Sequence, residues 1–205
     1  MLDNHGFDLW ADGYDRSVGL SDEDGTYPFA GYRRILNEIY NRVLTGSGKM
    51  VLDIGFGTAT LAARLYELGY IIRGQDFSEK MIGLAQKKMP EARLYQGDFS
   101  KGLAEELEAD RYDAIIATWS LHHLTDEQKA GLIRKLLSLL KDGGCIYIGD
   151  VAFKTRTELE YHMKQAGDAW DRDEIYFAVD ELKQSFPQMN FIPFSFCSGL
   201  ITLEK

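Results

Sequence analysis

The chain has 205 residues, 45% of them hydrophobic and 27% charged, with a formal net charge of -9 at pH 7. That length fits one domain with its own core, and the composition excludes a disordered or fibrous chain. The acidity argues against nucleic acid as a partner, because such binders gain affinity from Lys and Arg set against phosphates; a small-molecule substrate is expected instead.

In chain order, residues 1–30 are rich in Asp and Gly with aromatics between them, and read as a helical or irregular N-terminal cap. From Tyr32 to Leu44, the residues Ile35, Ile39, Tyr40 and Val43 recur at helical spacing. Met50 to Ile54 is a short apolar run, read as a buried strand, and a glycine-rich turn follows it. Leu61, Leu65 and Leu68 mark a helix face closed by Gly69. Tyr70 to Ile72 opens a second strand that ends at Asp76, and Ser78 caps a helix carrying Met81, Ile82 and Ala85. Ala92 to Tyr95 is a third strand with the exit loop Gly97-Asp98-Phe99. Tyr112 to Thr118, apolar almost throughout, is a fourth, suited to cover on both faces.

Thr125 and Gln128 form a capping box for a long helix whose stripe is Leu132, Ile133, Leu136, Leu137 and Leu140. Gly143-Gly144 ends it, and Cys145 to Gly149 is a fifth strand ending at Asp150. Helices are then expected from about Thr157 to Ala169 and from about Asp173 to Ser185. Two closely spaced strands follow, Phe191 to Phe196 and Leu200 to Leu203, too close in sequence to be parallel neighbours. The whole predicts an α/β, doubly wound, mostly parallel sheet with right-handed crossovers and one reversed strand.

Cys145 and Cys197 make neither a disulfide framework nor a zinc ligand set. They read as buried thiols, consistent with a cytoplasmic setting. The segment from Met1 to His5 lacks the features of a signal peptide. No apolar run approaches the roughly 20 residues of a membrane helix. No cluster of His, Asp and Glu has ligand spacing, so no metal is expected.

Ligands of an open doubly wound sheet sit beyond the carboxyl ends of its strands. Four such ends here carry acids, glycines or polar groups: the Asp53-Ile54-Gly55-Phe56-Gly57-Thr58-Ala59 turn, Asp76, Asp98, and Thr118-Trp119-Ser120. Gly55 and Gly57 fit the first two glycines of a dinucleotide fingerprint, but Thr60 stands at the third. Asp53 would repel a pyrophosphate and attract a cation. S-adenosylmethionine has no phosphate and carries a sulfonium and an ammonium, so Asp53 favours it over NAD. A carboxylate at Asp76 suits ribose hydroxyls, a role shared with NAD enzymes, or merely a helix N-terminus. Asp98 suits the adenine amino group, with Phe99 beside the ring, or simply an Asx turn.

These residues carry a resemblance. Asp53-Ile54-Gly55-Phe56-Gly57-Thr58, Asp76-Phe77-Ser78 with Met81, Gly97-Asp98-Phe99 and Leu140-Lys141-Asp142-Gly143-Gly144 resemble the successive motifs of class I S-adenosylmethionine-dependent methyltransferases. Trp10-Ala11-Asp12-Gly13-Tyr14-Asp15 and Leu121-His122-His123-Leu124-Thr125-Asp126 resemble a subgroup of small bacterial members. The resemblance implies seven strands in the order 3-2-1-4-5-7-6 with strand 7 antiparallel, helices on both faces and an N-terminal helical cap. One domain would span residues 1–205, with the cap and first helix in 1–45, the cofactor-binding core in 49–150, and the late helices and terminal hairpin in 151–205. Ala59 departs from the family's frequent glycine, with only a small packing change expected.

The same resemblance puts Asp53, Gly55 and Gly57 at the methionine side of the cofactor, Asp76 at the ribose, and Asp98 and Phe99 at the adenine. Phe77, Met81, Thr118 and Trp119 complete the cofactor set. Tyr14 would close over the site, and one of His122 and His123 is a candidate base for the acceptor, since imidazole titrates near neutral pH. The alternatives are a non-catalytic binder of S-adenosylmethionine or S-adenosylhomocysteine, an NAD-dependent oxidoreductase, and an RNA methyltransferase, the last disfavoured by the acidity.

Overall fold

The computed structural model describes residues 25–205. Tyr14 and most of the expected N-terminal cap lie outside the described residues. In chain order the elements are α1 (Tyr32–Thr45), β1 (Met50–Ile54), α2 (Thr60–Glu67), β2 (Ile71–Asp76), α3 (Glu79–Lys88), β3 (Arg93–Gln96), α4 (Glu105–Ala109) and β4 (Tyr112–Thr118). A 3-10 turn at Leu121–His123 precedes α5 (Asp126–Leu139), β5 (Leu140–Phe153), α6 (Arg156–Ala166), β6 (Phe177–Ala178), α7 (Val179–Ser185), β7 (Asn190–Pro193) and β8 (Ser198–Glu204). The strands lie in the order β3-β2-β1-β4-β5-β8-β7, with β6 paired to the far end of β5. Pairings from β3 to β5 are parallel, and β8 runs antiparallel to both β5 and β7. The main path is the expected one, and the two-residue β6 makes an eighth strand.

Strand side chains alternate between two apolar layers, as a pleated strand requires. Leu52, Ile54, Ile115, Ala117, Ile146 and Ile148 pack with Leu107 of α4, Leu132, Ile133 and Leu136 of α5 and Val179 of α7. Val51, Ile72, Ala114 and Ile116 pack with Ile35, Ile39 and Val43 of α1, Leu61 and Leu65 of α2 and Ala85 of α3. Burying one such aliphatic side chain contributes about 1.5–3 kcal/mol, so each face is held by several independent contacts. A Cβ on Gly149 would meet Ile35 Cγ2 at 2.5 Å; α1 lies close on β5 because that position has no side chain.

The local stop and start signals act as the sequence predicts. Ser78 Oγ accepts from the Met81 N–H at 3.2 Å. Thr125 and Gln128 complete their capping box, with Thr125 Oγ1 accepting from Gln128 N–H at 3.2 Å and Gln128 Oε1 from Thr125 N–H at 2.9 Å. Gly69 ends α2 in the left-handed region at φ 79°.

Three expectations need correction. The helix expected from about Asp173 begins only at Val179, because the buried Phe177-Ala178 pair joins β5 by parallel pairing with Ala152 and Phe153. The fifth strand does not stop at Asp150 but continues to Phe153, since β8 and β6 still pair with its last residues. The long helix ends at Leu139, before the Gly143-Gly144 stop. Leu140 already pairs with Tyr112, and the register shifts before Cys145 meets Ala114. The short α4 had no expectation behind it. Both cysteines are buried and free. Among the described residues no helix is long and apolar enough to cross a membrane.

Candidate functional site

The carboxyl ends of β1, β2, β3 and β4 converge on one cleft. The chain leaves β1 through a turn in which Gly55, Gly57 and Ala59 all have positive φ, of 67°, 52° and 59°. Gly55 has no alternative there, because a Cβ would also lie 2.4 Å from Ser120 Cβ. Ala59 occupies a left-handed position that costs an L-residue about 1–2 kcal/mol, so its departure from glycine is felt in the backbone more than in packing. The turn is tied to β2: Asp76 Oδ2 accepts from the Gly57 N–H at 2.8 Å, and Asp76 Oδ1 from the Ser78 N–H at 2.9 Å.

Gly55, Gly57, Asp76, Phe77, Met81, Asp98, Phe99, Trp119, His122 and His123 all line this cleft. Asp53 and Thr118 line a small adjoining pocket that shares Gly55 and Gly57. Asp53 is 2% exposed, and its Oδ1 is the buried side-chain polar atom without a hydrogen-bond partner among the described residues. Burial, and then the nearby Asp76 carboxylate, push its pKa well above the ordinary carboxylate range. Burial also pushes Asp98 upward, but hydrogen bonds from Ser100 and Lys101 outweigh it and hold the carboxyl below its usual value. The Asx turn is present, with Asp98 Oδ1 accepting from the Ser100 N–H at 2.9 Å.

Trp119 has φ 48°, an uncommon conformation for a bulky residue. Its indole N–H donates to the Pro28 carbonyl at 3.2 Å, and its ring stacks on Phe29 at 6.1 Å. These contacts over-determine the strained backbone and present the ring as a wall.

Beyond Trp119, the 3-10 turn presents His122 and His123, their ring centroids 4.2 Å apart. His122 Nδ1 lies 2.6 Å from Asp150 Oδ1. The same carboxylate accepts from the Leu121 N–H at 3.1 Å and the Val151 N–H at 2.8 Å. The Asp150 carboxylate accepts from the Nδ1–H, which leaves Nε2 turned to the cleft. Glu174 Oε1 stands 3.4 Å from that Nε2, and Glu174 Oε2 accepts from the Tyr176 hydroxyl at 2.6 Å. Tyr176 accepts in turn from the Tyr27 hydroxyl, which accepts from the Asp171 N–H. The segment is pinned again where Ile175 N–H donates to the His122 carbonyl at 2.8 Å and the buried Lys129 Nζ to the Ile175 carbonyl.

Burial opposes charge on His122, but Asp150 and then Glu174 raise its pKa above the usual imidazole value. Burial, and then the neighbouring His122, push His123 down to about 3. Burial raises Glu174. Sequence reasoning assigned no role to Asp150, although it is another acid at a strand exit, the signal that marked Asp76. It missed Glu174 altogether by placing it in a helix. The grouping of His122, His123 and Glu174, with one ligand atom each within 4.8 Å of the others, was invisible to a search for ligand spacing along the chain.

A family model described as a methyltransferase domain matches residues 51–144. An uncharacterized methyltransferase of Geobacillus sp. (strain WCH70) is 35% identical over 194 residues, covering 90% of this chain and 87% of its own. Another, of Anoxybacillus flavithermus, is 36% identical over 160 residues, covering 78% and 72%. Among solved structures, the DhpI complex with S-adenosylhomocysteine superposes with a TM-score of 0.71 at 16% identity, over 98% of this chain and 93% of that one. Magnesium protoporphyrin IX methyltransferase from Synechocystis PCC 6803, with bound S-adenosylhomocysteine, gives 0.65 at 21% identity, over 85% and 83%. These structural likenesses are likenesses of fold.

Proposed function

The chain belongs to the S-adenosylmethionine-dependent methyltransferases, and from that premise we propose that it moves the methyl group in line onto a small-molecule acceptor. The observation that carries the reading is Asp53 Oδ1, a buried acceptor without a partner among the described residues. Such an atom is costly to leave unsatisfied. The ammonium of the cofactor's methionine part is a cationic donor of the kind it lacks. Gly55 and Gly57 let the backbone approach that part, Asp76 receives the ribose hydroxyls, and Asp98 and Phe99 face the adenine over Phe77 and Met81. Thr118 offers backbone beside Asp53, and Trp119 separates the cofactor side from the acceptor side.

In-line displacement at a carbon already activated by sulfonium needs alignment and exclusion of water more than covalent help. Such positioning can supply about 7–11 kcal/mol. Acceptor activation falls to His122 and His123 at the far end of the cleft, with Asp150 fixing the His122 tautomer. Tyr14, outside the described residues, is proposed to close over the acceptor. Among the described residues the cleft is lined by Asp76, Asp98, Asp171 and Glu174 and by no lysine or arginine. That supports a neutral or cationic acceptor over a phosphate or carboxylate, and a small molecule over RNA.

The test is calorimetric titration with S-adenosylmethionine, S-adenosylhomocysteine and NAD, followed by transfer of labelled methyl into a cell extract that holds both metabolites and RNA. Binding of the two adenosyl ligands near micromolar, about -8 kcal/mol, no heat from NAD, and label in low-mass products are expected. Binding with no label transferred would leave a non-catalytic binding protein, and label confined to RNA would refute the small-molecule acceptor.

A further inference from the structure

We propose that His122, His123 and Glu174 bind one divalent transition-metal ion, zinc by donor chemistry, at the acceptor end of the cleft. The inference rests on the methyltransferase reading for its use, but not for its geometry. Three observations carry it. The Asp150 carboxylate, already accepting two backbone N–H groups, holds the proton of His122 at Nδ1. Nε2 therefore faces Glu174 Oε1 across 3.4 Å. That separation matches the edge of a tetrahedron around zinc, about 3.3 Å for ligands at about 2.0–2.1 Å.

The donor set supports the same ion. His123 brings a third ligand atom, and all three atoms lie within 4.8 Å of one another. Two imidazoles and one carboxylate, with a fourth position facing the cleft among the described residues, is the pattern of a catalytic zinc site and suits hard, all-oxygen-seeking magnesium poorly. The surrounding support is also in place. A ligating histidine usually gives its other N–H to a carboxylate, as His122 does to Asp150. Glu174 Oε2 is held by Tyr176, and its neighbour Ile175 is held at both N–H and carbonyl.

An acceptor X–H placed on the open position loses its proton to solvent more readily because the ion stabilises the anion. The freed lone pair on X forms the X–CH3 bond. The CH3–S bond breaks with its electrons passing to sulfur, giving S-adenosylhomocysteine.

The test uses the full chain stripped with a chelator and then titrated with zinc chloride, with magnesium chloride as control. S-adenosylhomocysteine is titrated into the same samples. One zinc per chain at micromolar affinity or tighter is expected, with no heat from magnesium. His123→Ala and Glu174→Gln should each weaken zinc at least 10-fold. Asp150→Asn should weaken it about 10–100-fold. All variants should keep their affinity for S-adenosylhomocysteine, which also reports that they fold. No zinc binding with the adenosyl ligand still bound would overturn the metal site alone, as would zinc binding unchanged in both ligand variants. Zinc bound with no adenosyl ligand bound would instead overturn the methyltransferase reading and leave the metal site standing.

Discussion

Replacing Asp53 by Asn should stabilise the protein without cofactor and weaken the protein's hold on that cofactor. The wild-type carboxylate is buried, has one oxygen without a partner among the described residues, and sits near Asp76. Its folded-state pKa is raised well above 3.8. Between the unfolded and the folded pKa, the folded state therefore binds more protons than the unfolded state. Stability contributed by this group must then fall as pH rises through that window. An uncharged amide removes the charge part of that penalty, which is the part that varies with pH. An unsatisfied buried polar group costs about 1–3 kcal/mol. For a chain of this size each kcal/mol shifts Tm by about 2–4 °C, so a gain of roughly 2–12 °C is expected at pH 8 and almost none near pH 4. With cofactor present the sign reverses, because a charge-assisted contact of about 1.5–3 kcal/mol is lost, about 10- to 150-fold in Kd. The assay is thermal unfolding from pH 4 to 8 with and without S-adenosylhomocysteine, paired with calorimetry. A variant that melts below wild type at pH 8 and binds the ligand unchanged would refute the assignment of Asp53.

Three further outcomes follow from the same geometry. Gly55→Ala should lower Tm by roughly 2–12 °C, from overpacking of about 1–3 kcal/mol against Ser120, and weaken cofactor binding at least 10-fold; adding Ser120→Gly should recover part of both by removing the 2.4 Å clash. Ala59→Gly should raise Tm by about 1–4 °C, because relief of left-handed strain exceeds the entropy that glycine returns to the unfolded chain; a lower Tm would show that the Ala59 methyl group matters more for packing than its backbone strain costs. Lys129→Met should leave thermal stability within about 1 kcal/mol, since it removes a buried charge while the partner Asp126 stays half exposed and paired with Arg156, yet speed hydrogen exchange at Ile175 and weaken zinc, with S-adenosylhomocysteine binding unchanged.

The proposed cofactor half of the cleft was legible as a group of residues because they are local. Gly55 and Gly57, Asp76 with Ser78, and Asp98 each sit within a few residues of a strand exit, and strand exits follow from apolar runs alternating with helical stripes. The sheet order was legible for the same reason, down to the terminal hairpin of β7 and β8. The misses fall where tertiary contacts override local pattern. Phe177 and Ala178 have too short a run to declare a strand, and they become one only because β5 offers Ala152 and Phe153 beside them. The fate of residues 171–176 depends on that pairing, so Glu174 was misplaced with it.

The acceptor half depends on partners distant in sequence. Asp150 reaches His122 only because β5 is the parallel neighbour of β4 and places its exit beside the 3-10 turn. Glu174 reaches the other ring nitrogen only because β5 runs on past Asp150, pairs with β6, and so draws the preceding loop across the cleft. Behind that loop Val151, Phe153, Trp170, Tyr176 and Cys197 form a third apolar cluster separate from the two layers of the sheet. The acceptor side thus has its own small core. Substitutions in that core can move Glu174 while the Asp53, Gly55 and Asp76 geometry stays with β1 and β2. On the proposed assignment, the acceptor side of this fold can therefore change with little effect on the cofactor grip.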